Sequence, residues 1–443
     1  MAASTSKSRT PAETAVEFNE SMSDSILPDR GTSTLDKTDS PPDGGRTAWL
    51  QVLGLWAIFA VTWGLANTFG VFQTYYENHL LSRTPPSAVS WIGSLQGALL
   101  LMMGPVSGTL YDAGYFRQLL LGGLFLIVLG QFMTSLARDY WQFILGQGVC
   151  IGIGCGFAYV PSAALLSQYF RQRQALALGI ASTGSPIVGI IFPILFSRLQ
   201  PTLGFPWACR IVAFVVLLLC LIPAFLLQVR TPPSGPVRSI VDRSALHDRR
   251  FMLFICGSFI AFLSLYIGYF YIQLFAVKSQ IGPSDFSAYY VTLLNAGSIP
   301  GRLIPNYLAD HWGHLNTQIV LSALTAVVMF AWMGIQNMGG LMAFALFYGA
   351  FTGGVMSILP PVTVALSPDP SRIGTRMGMV TFAAGVAVLV GPPIAGVIIN
   401  DYSRTRWLSM TGYAGATTSV ATILLIFARI APGRRKSSSK ETA

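Results

Sequence analysis

Charged residues are scarce in this sequence: they make up 10% of its 443 residues, whereas 52% are hydrophobic and the mean hydropathy is +0.57. A soluble domain carries roughly 25% charged residues, so the composition excludes an ordinary soluble protein. The acidic residues lie in the two tails, in predicted loops or at the ends of apolar segments. We therefore expect no carboxylate at the centre of a membrane span.

The patterns that carry enzymatic chemistry are also missing. The four histidines lie in predicted loops, and the sequence has no paired carboxylates, nucleophile elbow, metal-binding spacing or phosphate-binding loop. The five cysteines lie in or beside apolar segments and suggest no disulfide framework. Glycines within residues 146–156 do not follow a strand, so they favour close helix packing over nucleotide binding. We expect no enzyme, no cofactor and no metal.

Long apolar segments are abundant, each near the ~20 residues that cross a bilayer. They predict an all-α membrane protein with twelve transmembrane helices in two six-helix halves. The predicted spans are Ala48–Phe72, Val89–Leu110, Gln118–Ala137, Trp141–Leu165, Gln174–Arg198, Trp207–Leu227, Phe251–Val277, Phe286–Ala309, Leu315–Ile335, Leu341–Leu366, Thr375–Ile399 and Trp407–Phe427.

A polar, arginine-rich stretch, residues 229–250, separates the two halves, and its prolines oppose a continuous helix. It predicts a central cytosolic loop between an N-terminal half, 47–228, and a C-terminal half, 251–428. Residues 1–46 are polar and without periodicity, which predicts a disordered cytosolic tail. Residues 429–443 form a basic cytosolic tail.

The net charge of +10 follows from topology. With both termini in the cytosol, most Lys and Arg residues fall on the cytosolic side, as the positive-inside rule requires. We therefore expect an integral multi-pass protein of the plasma membrane whose partner is the lipid bilayer and not nucleic acid.

The two halves repeat each other in sequence. Asp112 and Asp310, Pro161 and Pro360, and Pro193 and Pro392 are each separated by roughly 199 residues, and a parallel repeat of six-helix halves builds one large class of transporters.

At this point the chain resembles the major facilitator superfamily, because residues 108–114, Gly-Thr-Leu-Tyr-Asp-Ala-Gly, are similar to its signature loop between helices two and three. Two further stretches resemble the fungal form of the monocarboxylate-porter family. They are Pro-Asp-Gly-Gly at 42–45, leading through Ala48-Trp49 into the first span, and Tyr-Phe-Arg-Gln-Arg at 169–173, continuing to Ser185. The resemblance implies a twelve-helix transporter.

Three charged residues at the predicted cytosolic ends of helices are gating candidates, namely Asp112, Arg171 and Asp310. Asp112 ends its helix, where the helix dipole disfavours an anion, so we expect a partner such as Arg171, Arg376 or another helix N-terminus. The resemblance implies that this contact latches a cytoplasmic gate, and Asp310 repeats the position in the second half.

Arg302 is the ionisable residue well inside a predicted span, and a charge there is costly and indicates function. Asn295, Ser298 and Arg302 share one helical face, and Pro300 and Pro305 are expected to loosen that helix. A guanidinium facing a cavity suits a substrate carboxylate. The alternative is an Arg near the helix end that extends to the membrane surface.

Monocarboxylate porters have an Arg at the position of Arg302, an Asp one turn earlier and a Lys in helix one. The present chain has Ser298 and Asn67 at the last two positions, so both groups assigned to proton handling are absent. The resemblance therefore puts proton coupling in doubt, although it leaves movement of an organic anion or a larger neutral molecule open.

Two stripes of polar and aromatic residues also suggest a path for a bulky substrate. Trp63 and Asn67 lie on one face of span one, and Tyr266 and Tyr269 lie on one face of span seven. Aromatic residues that pack between helices or face lipid are the alternative.

The sequence thus predicts a secondary transporter that moves a small organic metabolite, in the first place a carboxylate, by alternating access. One alternative is efflux of a secondary metabolite from a biosynthetic gene cluster. A second is a membrane sensor that keeps the fold without transport.

Overall fold

The computed structural model describes residues 43–171, 173–231, 240–367, 369 and 372–432. Within these ranges the chain forms helices and connecting loops, with no strand. The predicted tails, 1–46 and 429–443, lie outside the described residues except for 43–46 and 429–432. Residues 232–239 of the central loop lie outside them as well.

The N-terminal half contains six long helices. They are α1 (Arg46–Leu80), α2 (Pro86–Asp112), α3 (Phe116–Leu136), α4 (Tyr140–Gln168), α5 (174–203) and α6 (205–226). Gly204, with φ of 74°, separates α5 from α6, and glycine adopts such a positive φ without steric cost.

The C-terminal half begins with a short linker helix, Arg243–Leu246, and continues with six long helices. They are α7 (Arg249–Lys278), α8 (Ser287–Trp312), α9 (His314–Trp332), α10 (Met338–Ala365), α11 (Ile373–Ile398) and α12 (Arg404–Ile430). The described chain therefore contains twelve long helices, as the sequence predicts.

Apolar side chains cover the outside of the bundle, as a bilayer requires. Phe125, Phe225 and Val397 are 64%, 73% and 64% exposed. Ten helical stretches of the described chain are long and apolar enough to cross a membrane, and the stretch Leu176–Leu226 contains two helices. The remaining helix is α8, which carries Arg302 and Asp310 and is the most polar in its interior.

Helix α1 is longer than predicted. The expected end was Phe72, but the helix continues through a π-helical turn, Tyr76–Leu80. Glu77 lies on this turn and is 6% exposed, because Gln73 Nε2 and the Tyr402 hydroxyl donate hydrogen bonds to its carboxylate at 2.8 and 2.5 Å. The expectation that α1 ends before this acid was therefore wrong.

Glycines bring α8 and α10 into close contact. A methyl group on Gly301 would overlap the carbonyl of Ala350, and one on Gly349 would overlap the carbonyl of Leu294. Small residues at helix crossings allow backbones to approach in membranes. This packing fixes the height and rotation of α8 within the C-terminal half.

In each half, an aspartate in the loop before the first helix binds residues just before or at the start of the fifth helix. Asp43 donates its backbone N–H to the carbonyl of Tyr169 at 3.1 Å and accepts from the backbone N–H of Arg171 at 2.5 Å. In the second half Asp242 pairs with Arg372 and Arg376 at 3.0 and 3.1 Å.

The carboxyl of Asp242 is strongly acidic. Burial opposes its ionisation, but hydrogen bonds from Ser244 and Arg376, together with the charge of Arg376, outweigh burial and lower the pKa of Asp242 to about 2. Arg376 also approaches Asp248 at 3.6 Å. The linker is thereby attached to the start of α11.

The halves pack together through two helix pairs along most of their length. Helix α2 meets α11 from Ser87 and Gly396 at one end to Pro105 and Gly378 at the other, and α5 likewise packs against α8. We call the bundle end that carries residues 43–46 and 428–432 the terminal face, and the other end the opposite face.

A third pair of helices joins the halves towards the opposite face. The rings of Phe69 on α1 and Phe270 on α7 lie 4.8 Å apart, and a methyl group on Gly70 would overlap the carbonyl of Tyr269. By contrast, α4 and α10 are not among the extensively packed pairs of the described helices. The space between the halves is therefore closed towards the opposite face.

Candidate functional site

Arg302 lies between the two halves and has no acidic partner. It is 4% exposed, and among the described residues no carboxylate lies within 4.0 Å of its guanidinium. Nη1 is 3.5 Å from the carbonyl oxygen of Ser182, and Nη2 is 4.0 Å from the sulfur of Met356. Both contacts are long, so the cation is only weakly satisfied by the protein.

The helix that carries Arg302 is not broken. Pro300 and Pro305 do not interrupt α8, which is helical from Ser287 to Trp312, although each proline removes one backbone N–H donor from the helix. The helix packs closely against α10, and the Asn306 side chain donates to the Arg302 carbonyl at 2.6 Å. The position of Arg302 is consequently set by a rigid element.

Three tyrosines surround the guanidinium closely enough to interact with its charge. Tyr159 comes from α4, and Tyr266 and Tyr269 come from α7. The ring of Trp63 on α1 meets Tyr159 edge-on at 5.7 Å, and the Tyr266 and Tyr269 rings are also 5.7 Å apart. Both halves therefore contribute to one aromatic cluster around a single cation.

Several buried polar atoms in this region have no hydrogen-bond partner within the described chain. They are Asn67 Oδ1, Tyr266 OH, Asn295 Oδ1 and Arg302 Nε. Each buried polar atom without a partner costs about 1–3 kcal/mol, and such atoms are rare in folded proteins. Their clustering makes this region the candidate binding site.

The three remaining predicted site residues are held mainly by the protein itself. Asn295 donates to the Val291 carbonyl at 2.9 Å, and Ser298 donates to the Asn295 carbonyl at 2.9 Å. Asn67 donates to the Ser185 hydroxyl at 3.2 Å, which ties α1 to α5. The Oδ1 atoms of Asn295 and Asn67 are both buried without a partner in the described chain, so each side chain offers one free acceptor.

The predicted gating residues lie at the terminal face. Asp112 ends α2, and Arg171 is exposed in the loop before α5. Asp310 is exposed and lies 3.7 Å from His314, one turn further on. Arg376, an expected partner of Asp112, is occupied by Asp242 and Asp248, so the role of these residues in a gate stays a prediction.

Sequence reasoning missed Tyr159 and Met356 as neighbours of Arg302. Tyr159 is the single tyrosine of a glycine-rich apolar stretch, residues 143–160. This isolation is the feature of the sequence that could have identified Tyr159 as a site residue. Met356 carries no signal, because a methionine in an apolar helix is unremarkable.

A family model described as the Major Facilitator Superfamily matches residues 47–339 and 307–443 of this chain. The two ranges together extend from the first helix to the end of the sequence.

Curated relatives come from fungi. The MFS-type transporter dbaD of Emericella nidulans is 39% identical over 386 residues, which is 87% of each chain. The Aspyridones efflux protein apdF of the same organism is 33% identical over 82% of this chain and 74% of its own. The Fujikurins efflux protein of Gibberella fujikuroi is 34% identical over 88% and 84%.

Among solved structures, the nucleoside transporter NupG matches with a TM-score of 0.67 and 16% sequence identity, over 85% of this chain and 99% of that one. At this level of identity the likeness concerns the fold alone.

Proposed function

The chain belongs to the Major Facilitator Superfamily and is a membrane transporter, and from this premise we propose that it exports a bulky organic anion, a secondary metabolite. The aromatic cluster around Arg302 is the proposed substrate site.

One observation carries the proposal: the buried guanidinium of Arg302 has no acidic partner among the described residues. An uncompensated charge inside a membrane protein is costly, and an anionic substrate would offset that cost. A carboxylate accepts two parallel N–H bonds from one guanidinium through its two oxygens. We infer that Arg302 binds the negative group.

The surrounding rings argue for a large and partly apolar substrate. Trp63, Tyr159, Tyr266 and Tyr269 present flat faces and polar edges, which suit an aromatic or polyene body with hydroxyl or carbonyl groups. Two relatives are named for efflux of aspyridones and fujikurins, and this supports export of a metabolite over uptake of a small acid.

The kinship with fungal monocarboxylate porters remains part of this proposal. It rests on residues 42–49 and 169–185, and on Arg302 itself. Ser298 and Asn67 occupy the positions of that family's acidic and basic residues, so we propose an export cycle that does not use those groups for protons.

We propose that the halves, 47–228 and 251–428, rock as units about the central site, as in other members of this class. The plasma membrane with both termini in the cytosol is the proposed setting. The terminal face would then be cytosolic. Closure towards the opposite face fits a state that receives substrate from the cytosol.

The proposal can be tested by uptake into inverted plasma-membrane vesicles from yeast that expresses the full chain. Labelled naphthoate serves as a bulky acid and labelled lactate as a small one, each with and without a pH gradient. We expect naphthoate uptake above that of control vesicles, its loss in Arg302→Met, and no lactate uptake.

Lactate uptake without naphthoate uptake would replace the proposal with a small-monocarboxylate carrier. Equal naphthoate uptake by wild type and Arg302→Met would remove Arg302 from the substrate site. Absence of uptake of either acid by the wild type would contradict anion export itself.

A further inference from the structure

A second cavity lies away from Arg302, at the opposite face. It has a volume of about 420 Å³ and is formed by the C-terminal ends of α7 and α9 and the start of α12. This volume lies within the range of roughly 300–1,000 Å³ that small-molecule sites occupy. The cavity lies entirely within the C-terminal half and is separate from the proposed substrate site at Arg302.

The inner wall of this cavity is aromatic and contains two unpaired donors. Trp332 and Trp407 are 1% and 4% exposed, and the Nε1 atom of each is buried without a hydrogen-bond partner in the described chain. Phe275 lies between them, with ring centroids 5.4 and 5.1 Å away. Two orphaned indole N–H groups beside one cavity indicate a ligand that supplies acceptors.

The rim of the cavity is positively charged. Lys278 and Arg404 line it, and neither has a carboxylate within 4.0 Å among the described residues. The Lys278 ammonium lies 4.7 Å from the centre of the Tyr402 ring. Two acids lie nearby: Glu77, which accepts a hydrogen bond from Tyr402 and also interacts with the charge of Lys278, and Asp401, which approaches Arg406 at 3.9 Å.

We propose that this cavity binds an amphiphilic organic anion, with its negative group between Lys278 and Arg404 and its apolar body against Trp332 and Trp407. Two sources have this chemistry: an anionic phospholipid of the adjoining leaflet, or an acidic aromatic solute at the membrane surface. Tryptophan at the end of transmembrane helices is placed at headgroup depth, where the cavity could meet either source.

Binding can be measured on the purified full chain by native mass spectrometry. For the lipid arm, phosphatidylglycerol is compared with phosphatidylcholine. For the soluble arm, naphthoate is added to an Arg302→Met chain, in which the central site should not bind it. We expect an anionic probe to bind the wild-type cavity, and Lys278→Gln/Arg404→Gln to weaken it about tenfold, as expected for loss of charge-assisted contacts.

The matched control is Arg210→Gln/Arg406→Gln, which removes the same charge from the same face outside the cavity and should bind as the parent chain does. Trp332→Phe keeps an aromatic side chain, although a smaller one, and removes one N–H donor, so it should weaken binding several-fold without loss of folding. Binding of phosphatidylglycerol alone identifies a lipid site, and binding of naphthoate alone identifies a solute site. Equal binding by the cavity variant and the control, or no binding of either anion, would overturn the proposal.

Discussion

At the scale of single residues, the chain combines one unpaired cation with several unpaired hydrogen-bonding groups. Arg302 could be recognised from the sequence, because a charge in an apolar span is conspicuous. Its neighbours Asn295, Ser298, Tyr266 and Tyr269 followed from helical periodicity. Tyr159 could not be recognised, since its approach to Arg302 depends on how α4 of one half faces α8 of the other.

Tyr266→Phe tests whether the unpaired hydroxyls serve a ligand. In the structure the Tyr266 hydroxyl is buried without a partner, so its removal should leave stability unchanged or raise it by about 1 kcal/mol. Affinity for a transported substrate should fall by roughly tenfold, the loss of one hydrogen bond. Thermal unfolding in detergent and concentration-dependent uptake provide the two readouts.

Tyr348→Phe is the matched control, because the Tyr348 hydroxyl donates to the Leu265 carbonyl at 2.7 Å. Its loss should destabilise the protein and leave affinity close to that of the wild type. If Tyr266→Phe instead destabilises the protein and binds substrate normally, the Tyr266 hydroxyl has a structural role.

At the scale of helices, the apolar pattern predicts the number and order of elements, while polar contacts set their ends. All twelve helices were predicted from the sequence, and eleven of them lie in stretches apolar enough to cross a membrane. The extension of α1 to Leu80 could not be predicted from hydropathy. In the sequence an acid such as Glu77 suggests a loop, and its partner Tyr402, which lies far away in the sequence, is revealed only by the structure. The close approach of α8 to α10 likewise depends on glycines of both helices, which meet only in the folded chain.

The linker attachment gives a prediction at this scale. Asp242 and Arg376 are each 4% exposed at the side chain, so Asp242→Asn leaves a buried guanidinium with the longer Asp248 contact and the Leu366 carbonyl as partners. We expect a loss of about 3 kcal/mol in stability, measured by thermal unfolding in detergent.

Asp369→Asn is the appropriate comparison, because its ion pair with Arg372 is about half exposed. Such exposed pairs contribute about 0–1 kcal/mol. Equal destabilisation by both substitutions would mean that burial does not strengthen the Asp242 contact.

At the scale of the whole molecule, the contacts towards the opposite face determine which state is observed. Glu77 of the first half and Tyr402 of the second are joined by a hydrogen bond. Burial, and then the charge of Glu77, raise the pKa of Tyr402, so its hydroxyl remains protonated and donates at physiological pH. The repeat in the sequence predicts two halves but does not indicate where they touch.

Loss of the Glu77–Tyr402 contact should favour opening at the opposite face. Glu77→Gln and Tyr402→Phe each weaken a hydrogen bond to a charged group, worth about 1.5–3 kcal/mol. Spin labels at positions 83 and 280, one in each half and both exposed, should report a longer-distance population by pulsed electron resonance in a chain freed of its native cysteines.

Tyr413→Phe removes a hydroxyl from the same half and should leave the distance distribution unchanged. The combined Glu77→Gln/Tyr402→Phe variant should open little more than either single variant, because both remove one interaction. Unchanged distances in all variants would show that this contact does not hold the face closed.

The central claim is that Arg302 recognises the negative charge of the substrate. Its most direct test is calorimetric binding of naphthoate and of its neutral isostere naphthamide, in the Lys278→Gln/Arg404→Gln chain so that binding at the cavity of the opposite face is weakened. We predict that naphthoate binds at least about tenfold more tightly than naphthamide, as a charge-assisted pair requires, and that Arg302→Met abolishes this difference. A preference for naphthoate that persists in Arg302→Met, or equal binding of both ligands to the parent chain, would contradict the account.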